Sequence, residues 1–383
     1  MALILLSSER FATFWTWKEA NAMRHENSVF HQVLQRVPWS AFEALVEEHQ
    51  SDKHVRRLST KSQFVAMLYG QLCGAASLRE IETGLQSCHL RLYHLGAAPV
   101  RRSTLADANC LRPAAVFCKL FAVMLKQVHR GLRRALADTT YLIDSTGLRL
   151  DERSAGWARF SAGVCGAKIH VIYDADADCP IYAQVSAAKV NDITIAQQMP
   201  IEPGATYVFD LGYYDYRWWA ELDDAGCRIV TRFKKNTPLR MIEELRVPKN
   251  SPVLSDRIGF LPARQTYNRH NPMSNAVREI RIMTDGGKVL RILSNDLDAG
   301  AEEIAELYKR RWAIELFFRW VKQTLKIRHL LGTSDNAVRI QIAVALIAFL
   351  LLRLAQESQK AVHSPLAFVR QAAGNRARGL GIG

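Results

Sequence analysis

The hydrophobic rhythm of this chain changes near Asp138, and the change dictates a fold in two parts. Before that point apolar residues recur at helical spacing: Val29, Phe30, Val33, Leu34 and Val37, then Phe64, Val65, Met67, Leu68 and Leu72. Ser77-Leu-Arg-Glu80 and Ser103-Thr-Leu-Ala-Asp107 carry helix-start signals, with Ser or Thr as the expected cap. After it the apolar residues gather into runs of strand length. These are Tyr141–Ile143, Ala167–Tyr173 (interrupted by Lys168 and His170), Ile181–Val185, Thr206–Phe209 and Cys227–Phe233. Stretches 192–199 and 214–225 read as intervening helices, so the second part is a mixed α/β domain.

Five prolines punctuate 236–287, from Pro238 to Pro272, which predicts turns and short strands inserted into that domain. Val289–Leu293 rejoins it as a strand, and helices follow at 301–331 and 336–359. The expected organisation is an uncertain extension at 1–22 (Met23 is an alternative start), a helical domain at 23–130, an α/β domain at 138–360 interrupted by the insertion at 236–287, and a basic tail at 361–383.

With 49% hydrophobic and 23% charged residues the chain is a folding, core-burying sequence, which excludes wholesale disorder. The apolar run Ile340–Leu352 is thirteen residues long and includes Gln341. A membrane span needs roughly 18 or more, so a buried helix and no membrane partner are expected. Leu3-Ile-Leu-Leu6 is followed at once by Glu9 and Arg10 and has no basic residues before it, unlike a signal peptide. The seven cysteines form no CxxC pair, which points to reduced thiols in a cytoplasmic protein rather than a zinc site. Fifty-one basic against 37 acidic side chains leave a net charge of +14, which suits a polyanionic partner. Basic residues His54, Arg56, Arg57, Lys61, Arg101 and Arg102 lie between or at the ends of the early helices, where they suit phosphate contact or an ordinary solvated face.

Chemistry could gather at two carboxylates that end apolar runs. Asp144 follows Tyr141-Leu-Ile143, and Asp210 follows Thr206-Tyr-Val-Phe209. Strand-end carboxylates in an α/β sheet converge on one crevice, although each alone also fits a turn or helix cap. A third carboxylate, Glu315, lies in a helix with Tyr308, Arg311 and Lys322, whose offsets of 0, 3, 7 and 14 put all four on one stripe. Arg319 and Lys326 share that stripe, and Ile314, Phe317, Val321 and Leu325 lie opposite. A solvated face paired at i,i+4 fits the same periodicity. Asp215 reads as a helix cap, and Asp174, Asp176 and Asp178 read as a hairpin turn. His170 reads as a structural contact, and Trp157, Trp218 and Trp219 as core or surface aromatics.

On these residues the chain resembles bacterial insertion-sequence transposases of the DDE type, in particular the family with a Tyr-x2-Arg-x3-Glu-x6-Lys signature. Tyr308, Arg311, Glu315 and Lys322 match its four positions and three spacings, Asp144 stands in Leu-Ile-Asp-Ser-Thr, and Asp210 in Phe-Asp-Leu-Gly-Tyr-Tyr-Asp. Arg102-Ser-Thr-Leu-Ala-Asp-Ala-Asn109 resembles the helical DNA-binding domain that precedes the core in one branch. The resemblance implies a ribonuclease H-like catalytic core with a mostly β insertion. It implies Asp144, Asp210 and Glu315 as ligands of two Mg²⁺ ions, with Mn²⁺ able to substitute, and Tyr308, Arg311 and Lys322 as DNA contacts that Arg319 and Lys326 could extend. It further implies double-stranded DNA with terminal inverted repeats and target DNA as partners, an active homodimer at synapsis, and a bacterial, nucleoid-associated location. The expected activity is metal-dependent cleavage of the element's ends and their joining to target DNA. A nuclease without strand transfer and an inactive DNA-binding relative are the alternatives.

Overall fold

The computed structural model describes residues 29–87, 92–132, 139–247, 249, 251–284, 286–324 and 330–359. The expected extension at 1–22 and tail at 361–383 lie outside them. The chain divides into two compact units, one up to Met124 and from Trp320 onward, the other Leu125–Arg319.

The first unit is helical. It comprises α1 (Val29–Leu34), α2 (Trp39–Glu48), α3 (Thr60–Cys73), α4 (Leu78–Gln86), α5 (Arg102–Leu111) and the start of α6 (Ala114–Leu132). Helix α3 is buried along most of its length, and its Phe64 ring meets those of Phe42 and Phe117 at centroid distances of 5.4 and 6.2 Å. Its ends are set locally: Ser59 accepts the Ser62 N–H at 3.1 Å, and Gly74 closes the helix at a left-handed φ of 66°. Ser59→Ala should therefore lower stability by about 1 kcal/mol, read as a small loss in thermal or denaturant midpoint.

Helix α4 starts where expected, with Ser77 accepting the Glu80 N–H and Glu80 accepting the Ala76 N–H. Helix α5 departs from expectation. It begins at Arg102, Arg101 is its cap residue, and no local side chain caps it. The carboxylate of Glu82, twenty residues earlier, accepts the Arg102 N–H at 2.9 Å. A tertiary acceptor thus replaces the Ser or Thr cap.

The terminal helix, Asp335–Gln359, packs on α3, α5 and α1. Asn336 fastens it by accepting the Ala114 N–H at 3.0 Å and donating to the Asn109 carbonyl at 3.0 Å. Its stretch Asp335–Ala355 is long and apolar enough to cross a membrane, yet 83% of the most apolar part is buried inside the protein. That fits the expectation of a core helix: a helix apolar all round must bury every face.

The second unit is built on one ten-stranded sheet. Its strands are β1 (Thr140–Leu150), β2 (Arg159–Ser161), β3 (Val164–Asp174), β4 (Cys179–Ala187), β5 (Thr206–Phe209), β6 (Arg228–Arg232), β7 (Arg240–Glu244), β8 (Val253–Phe260), β11 (Val277–Met283) and β12 (Val289–Ser294); β9 (Arg264–Thr266) and β10 (Arg269–His270) form a separate two-stranded sheet. Between them lie α7 (Ala155–Ala158), α8 (Asp192–Ala196) and α9 (Tyr216–Asp224), and α10 (Ala301–Arg310) and α11 (Trp312–Thr324) follow β12.

Strands β4, β3 and β1 are antiparallel neighbours, and β1, β5 and β6 run parallel. Strand β12 continues the sheet on β6, followed by β11, β8 and β7. The 236–287 stretch thus holds the expected short strands, and three of them, β7, β8 and β11, extend the main sheet. Asp174, Asp176 and Asp178 do lie at the β3–β4 hairpin turn, where Asp174 accepts the Asp176 and Ala177 N–H groups. One sheet face is packed with aromatic and aliphatic side chains, including Tyr141, Ile143, Tyr207, Phe209, Trp218 and Trp219. The two tryptophans are fully buried, which leaves them a core role.

Candidate active site

Side chains alternate across a strand, so Asp144 and Asp210 point away from the face that holds Ile143 and Phe209. The parallel register pairs Ile143 with Phe209, which sets Asp144 beside Asp210. Asp144 does not end its strand as expected: β1 runs on to Leu150, held by its antiparallel pairing with β3, and Asp144 lies where β1 outruns the shorter β5. Arg232 ends β6, the next parallel strand, at that level. Local hydrogen bonds fix both carboxylates. Asp144 Oδ1 accepts the Ser145 N–H at 2.7 Å, and Asp210 Oδ1 accepts the Gly212 N–H at 2.8 Å.

Glu315 comes from the first turn of α11. The expected single helix over 301–331 is two helices here, with Arg311 between them. The Arg311 N–H bonds back to the Tyr308 carbonyl and its own carbonyl accepts from Ile314, both three residues away, so the turn is tightened. Arg311 stands between two acids: Nη1 lies 3.3 Å from Asp144 Oδ2 and Nη2 lies 2.5 Å from Glu315 Oε1. The sequence contains no Pro or Gly at the break; the break coincides with this pair of tertiary contacts.

The other two acids act electrostatically on Asp144. Burial pushes the Asp144 carboxyl up to about 6, Asp210 and Glu315 add to the rise, and the Ser145 N–H and Arg311 oppose it. For Arg311, burial disfavours the charge, but Glu315, Tyr308 and Asp144 outweigh that and hold the guanidinium firmly protonated. Tyr213 is buried beside the same group. Burial first, and then Asp144, Asp192 and Asp210, raise its pKa well above the usual phenol value.

The residues expected to contact DNA do not all occupy equivalent places. Tyr308 is buried, with the Arg311 guanidinium 6.0 Å from its ring centre, and burial raises its pKa. It backs Arg311 rather than facing outward. Arg319 is exposed, 6.0 Å from the Trp312 ring centre. Lys322 lies in the last turn of α11 and is partly buried. Lys326 lies outside the described residues. Asp215 caps α9 by accepting the Arg217 and Trp218 N–H groups, as a cap residue should.

Two residues near the site were not legible as such in the sequence. Arg232 acts electrostatically on Tyr308, and Asp192 bonds Ser145. A charged residue at the end of the Cys227–Phe233 apolar run was the available signal for Arg232.

Among the described residues no group of three or more His, Cys, Asp or Glu side chains is arranged to hold a metal ion. The donor chemistry nevertheless fits a hard divalent cation: Asp144 feels the negative charge of Asp210 and Glu315, all three offer carboxylate oxygens, and a guanidinium supplies the counter-charge between two of them. The six cysteines among the described residues are free thiols.

Residues 135–351 match the family model described as "Transposase DDE domain", and residues 25–98 match one described only as a domain of unknown function. The chain is similar to "Putative transposase y4zB" of Sinorhizobium fredii, 41% identical over 251 residues, covering 66% of this chain and 70% of that protein. It is also similar to "Probable transposase for insertion sequence element IS5377" of Geobacillus stearothermophilus, 29% identical over 265 residues, covering 67% of this chain and 68% of that one. A solved piggyBac transposase synaptic complex with hairpin DNA covers 89% of this chain and 76% of its own at 10% identity and a TM-score of 0.46, a likeness too loose to carry an argument.

Proposed function

This chain belongs to the transposases that carry a DDE domain, and from that premise we propose that it cleaves the ends of its own insertion sequence and joins them to target DNA. The observation that carries the reading is the placing of Asp144 beside Asp210 on neighbouring parallel strands, with Arg311 bridging Asp144 to Glu315. The strand order β4–β3–β1–β5–β6 supports a ribonuclease H-like core. The spacing of Tyr308, Arg311, Glu315 and Lys322 supports the branch with the Tyr-Arg-Glu-Lys signature.

In this reading Asp144, Asp210 and Glu315 hold two Mg²⁺ ions, or Mn²⁺ in their place. Bound there, the ions supply a nucleophile active at neutral pH and charge neutralisation at the leaving oxygen. The protein's own groups do the rest. Asp144 and Asp210 are oriented by backbone N–H donors before DNA arrives. Arg311 balances Asp144 and Glu315 in the free protein; relieved of that duty, its planar fork is suited to a phosphate. Buried Tyr308 keeps the guanidinium close to the acids instead of letting it swing into solvent. Lys322, Arg319 and Lys326 extend the basic contact along the DNA, and 23–130 serves as a helical DNA-binding domain. Synapsis of two ends calls for a homodimer.

The test is a cleavage and joining assay with duplexes that carry the element's two ends and target DNA. Mg²⁺-dependent end cleavage followed by joined products is the expected outcome, and chelation of divalent ions should stop both steps. Cleavage with no joining would replace the transposase by a nuclease. End binding with neither step would leave a DNA-binding relative.

A further inference from the structure

Behind the three acids, on the opposite face of the sheet, lies a fourth carboxylate with a partner set of its own. Asp192 opens α8, and its Oδ1 accepts the Ser145 hydroxyl at 2.8 Å and the Lys168 ammonium at 3.1 Å. Lys168 is tied down in turn by the Val190 carbonyl at 3.0 Å. Buried His170 stands 3.6 Å from the same oxygen and bonds Ser186 with its other nitrogen. The position of Gly212 shows how near Asp192 also comes to Asp210. A Cβ there would lie 3.0 Å from Asp210 Oδ1 and 3.5 Å from Asp192 Oδ2, so the loop after β5 brings both carboxylates close to one point.

Ser145 links the two faces. Its N–H donates to Asp144 Oδ1, while its hydroxyl donates to Asp192 Oδ1. The rotamer of Asp144 thus depends on the orientation of the peptide that joins it to Ser145. That peptide is held from behind by a side chain of α8, itself fixed by Lys168 of β3. Lys168 also balances the charge of Asp192, so the hold adds no uncompensated negative charge behind the site.

We propose that Asp192 is a positioning residue, which through Ser145 fixes the middle of β1 in the orientation Asp144 needs to receive a divalent cation. The proposal rests on the reading of Asp144, Asp210 and Glu315 as metal ligands. Groups that orient ligands from outside the coordination sphere typically alter metal affinity by about 10–100-fold when removed.

Mn²⁺ titration of the full-length protein bound to an end duplex, followed by electron paramagnetic resonance, gives a readout independent of turnover. Asp192→Ala and Ser145→Ala should each weaken Mn²⁺ binding by about 10-fold, with thermal melts confirming folded protein. The double variant should be no weaker than the worse single one, because both changes break one linkage. Asp192→Asn keeps an acceptor for the Ser145 hydroxyl and should bind Mn²⁺ much as the wild type does. Unchanged affinity in folded Asp192→Ala protein would overturn the proposal, as would additive losses in the double variant. Asp192→Asn falling as far as Asp192→Ala would also overturn it, by making Asp192 a ligand in its own right. Wild-type protein whose Mn²⁺ binding ignores Asp144→Asn would instead sink the reading of the site, and the proposal with it.

Discussion

Glu315→Gln protein is expected to fold and bind the element's ends, yet to cleave and join them on the order of 10³-fold more slowly, a loss of about 4 kcal/mol in the transition state. The change is nearly isosteric, and Glu315 sits at the rim of the unit's core, so packing is little altered. What disappears is one of the two negative charges that act on Asp144. In the free protein the amide oxygen can still accept from Arg311, but the ion pair is left to Asp144 alone. In the loaded protein the change removes an anionic oxygen ligand, for which a neutral amide is a poor substitute toward a hard cation. A gel-based cleavage assay beside an end-binding assay separates the two effects. Cleavage within about tenfold of wild type would mean that Glu315 only pairs with Arg311, the solvated-face role that its spacing also allows.

The largest stability effect is expected far from these acids, in the strands of the 236–287 stretch. Arg278 of β11 and Asp256 of β8 form a bidentate pair, Nε to Oδ1 at 2.7 Å and Nη2 to Oδ2 at 2.6 Å, and both side chains are almost wholly buried. Arg278 also donates to the Ala299 carbonyl, so it joins the sheet to the segment that leads into α10. Arg278→Met would leave the Asp256 carboxylate buried without its cation. Breaking such a pair costs about 3–5 kcal/mol, which in a unit of this size is a fall in thermal midpoint of roughly 6–20 °C. Replacing both partners together by apolar residues should recover much of that, because the penalty lies in the stranded charge and not in the lost attraction. A melting curve of each variant checks both statements. A single variant as stable as wild type would show that water reaches Asp256.

How much of this could be read from the chain itself differs residue by residue. Asp144 and Asp210 were legible because each follows an apolar run directly, and the parallel register of those runs sets the two side by side. That β1 continues past Asp144 to Leu150 was not, because its second half is held by pairing with β3 and carries polar residues. Glu315 was legible through its spacing to Arg311. The break at Arg311 was not, because every residue there favours a helix and the turn is tightened where Arg311 meets Asp144, 167 residues earlier. The cap of α5 escaped for the same reason, since Glu82 supplies it from another helix. Asp192 carried no local signal at all: its place depends on Ser145 and Lys168, brought together by the pairing of β1 with β3. The short strands of 236–287 were foreseeable from proline punctuation. That they continue the main sheet was not, because pairing such as that of β11 with β12 and β8 is a property of partners and not of a single segment.

The terminal helix has a consequence for the order of events during synthesis. Helices α1, α3 and α5 emerge first from the ribosome, but the helix that covers them, Asp335–Gln359, is made last. The unit Leu125–Arg319 is by then already complete in sequence. Residues 320–359 number forty (359 − 319), which at ordinary elongation speeds leaves the early helices without their cover for about 2–8 s after the middle of the chain has been made. The nascent protein should therefore complete Leu125–Arg319 first, with the helices α1, α3 and α5 waiting for their final neighbour.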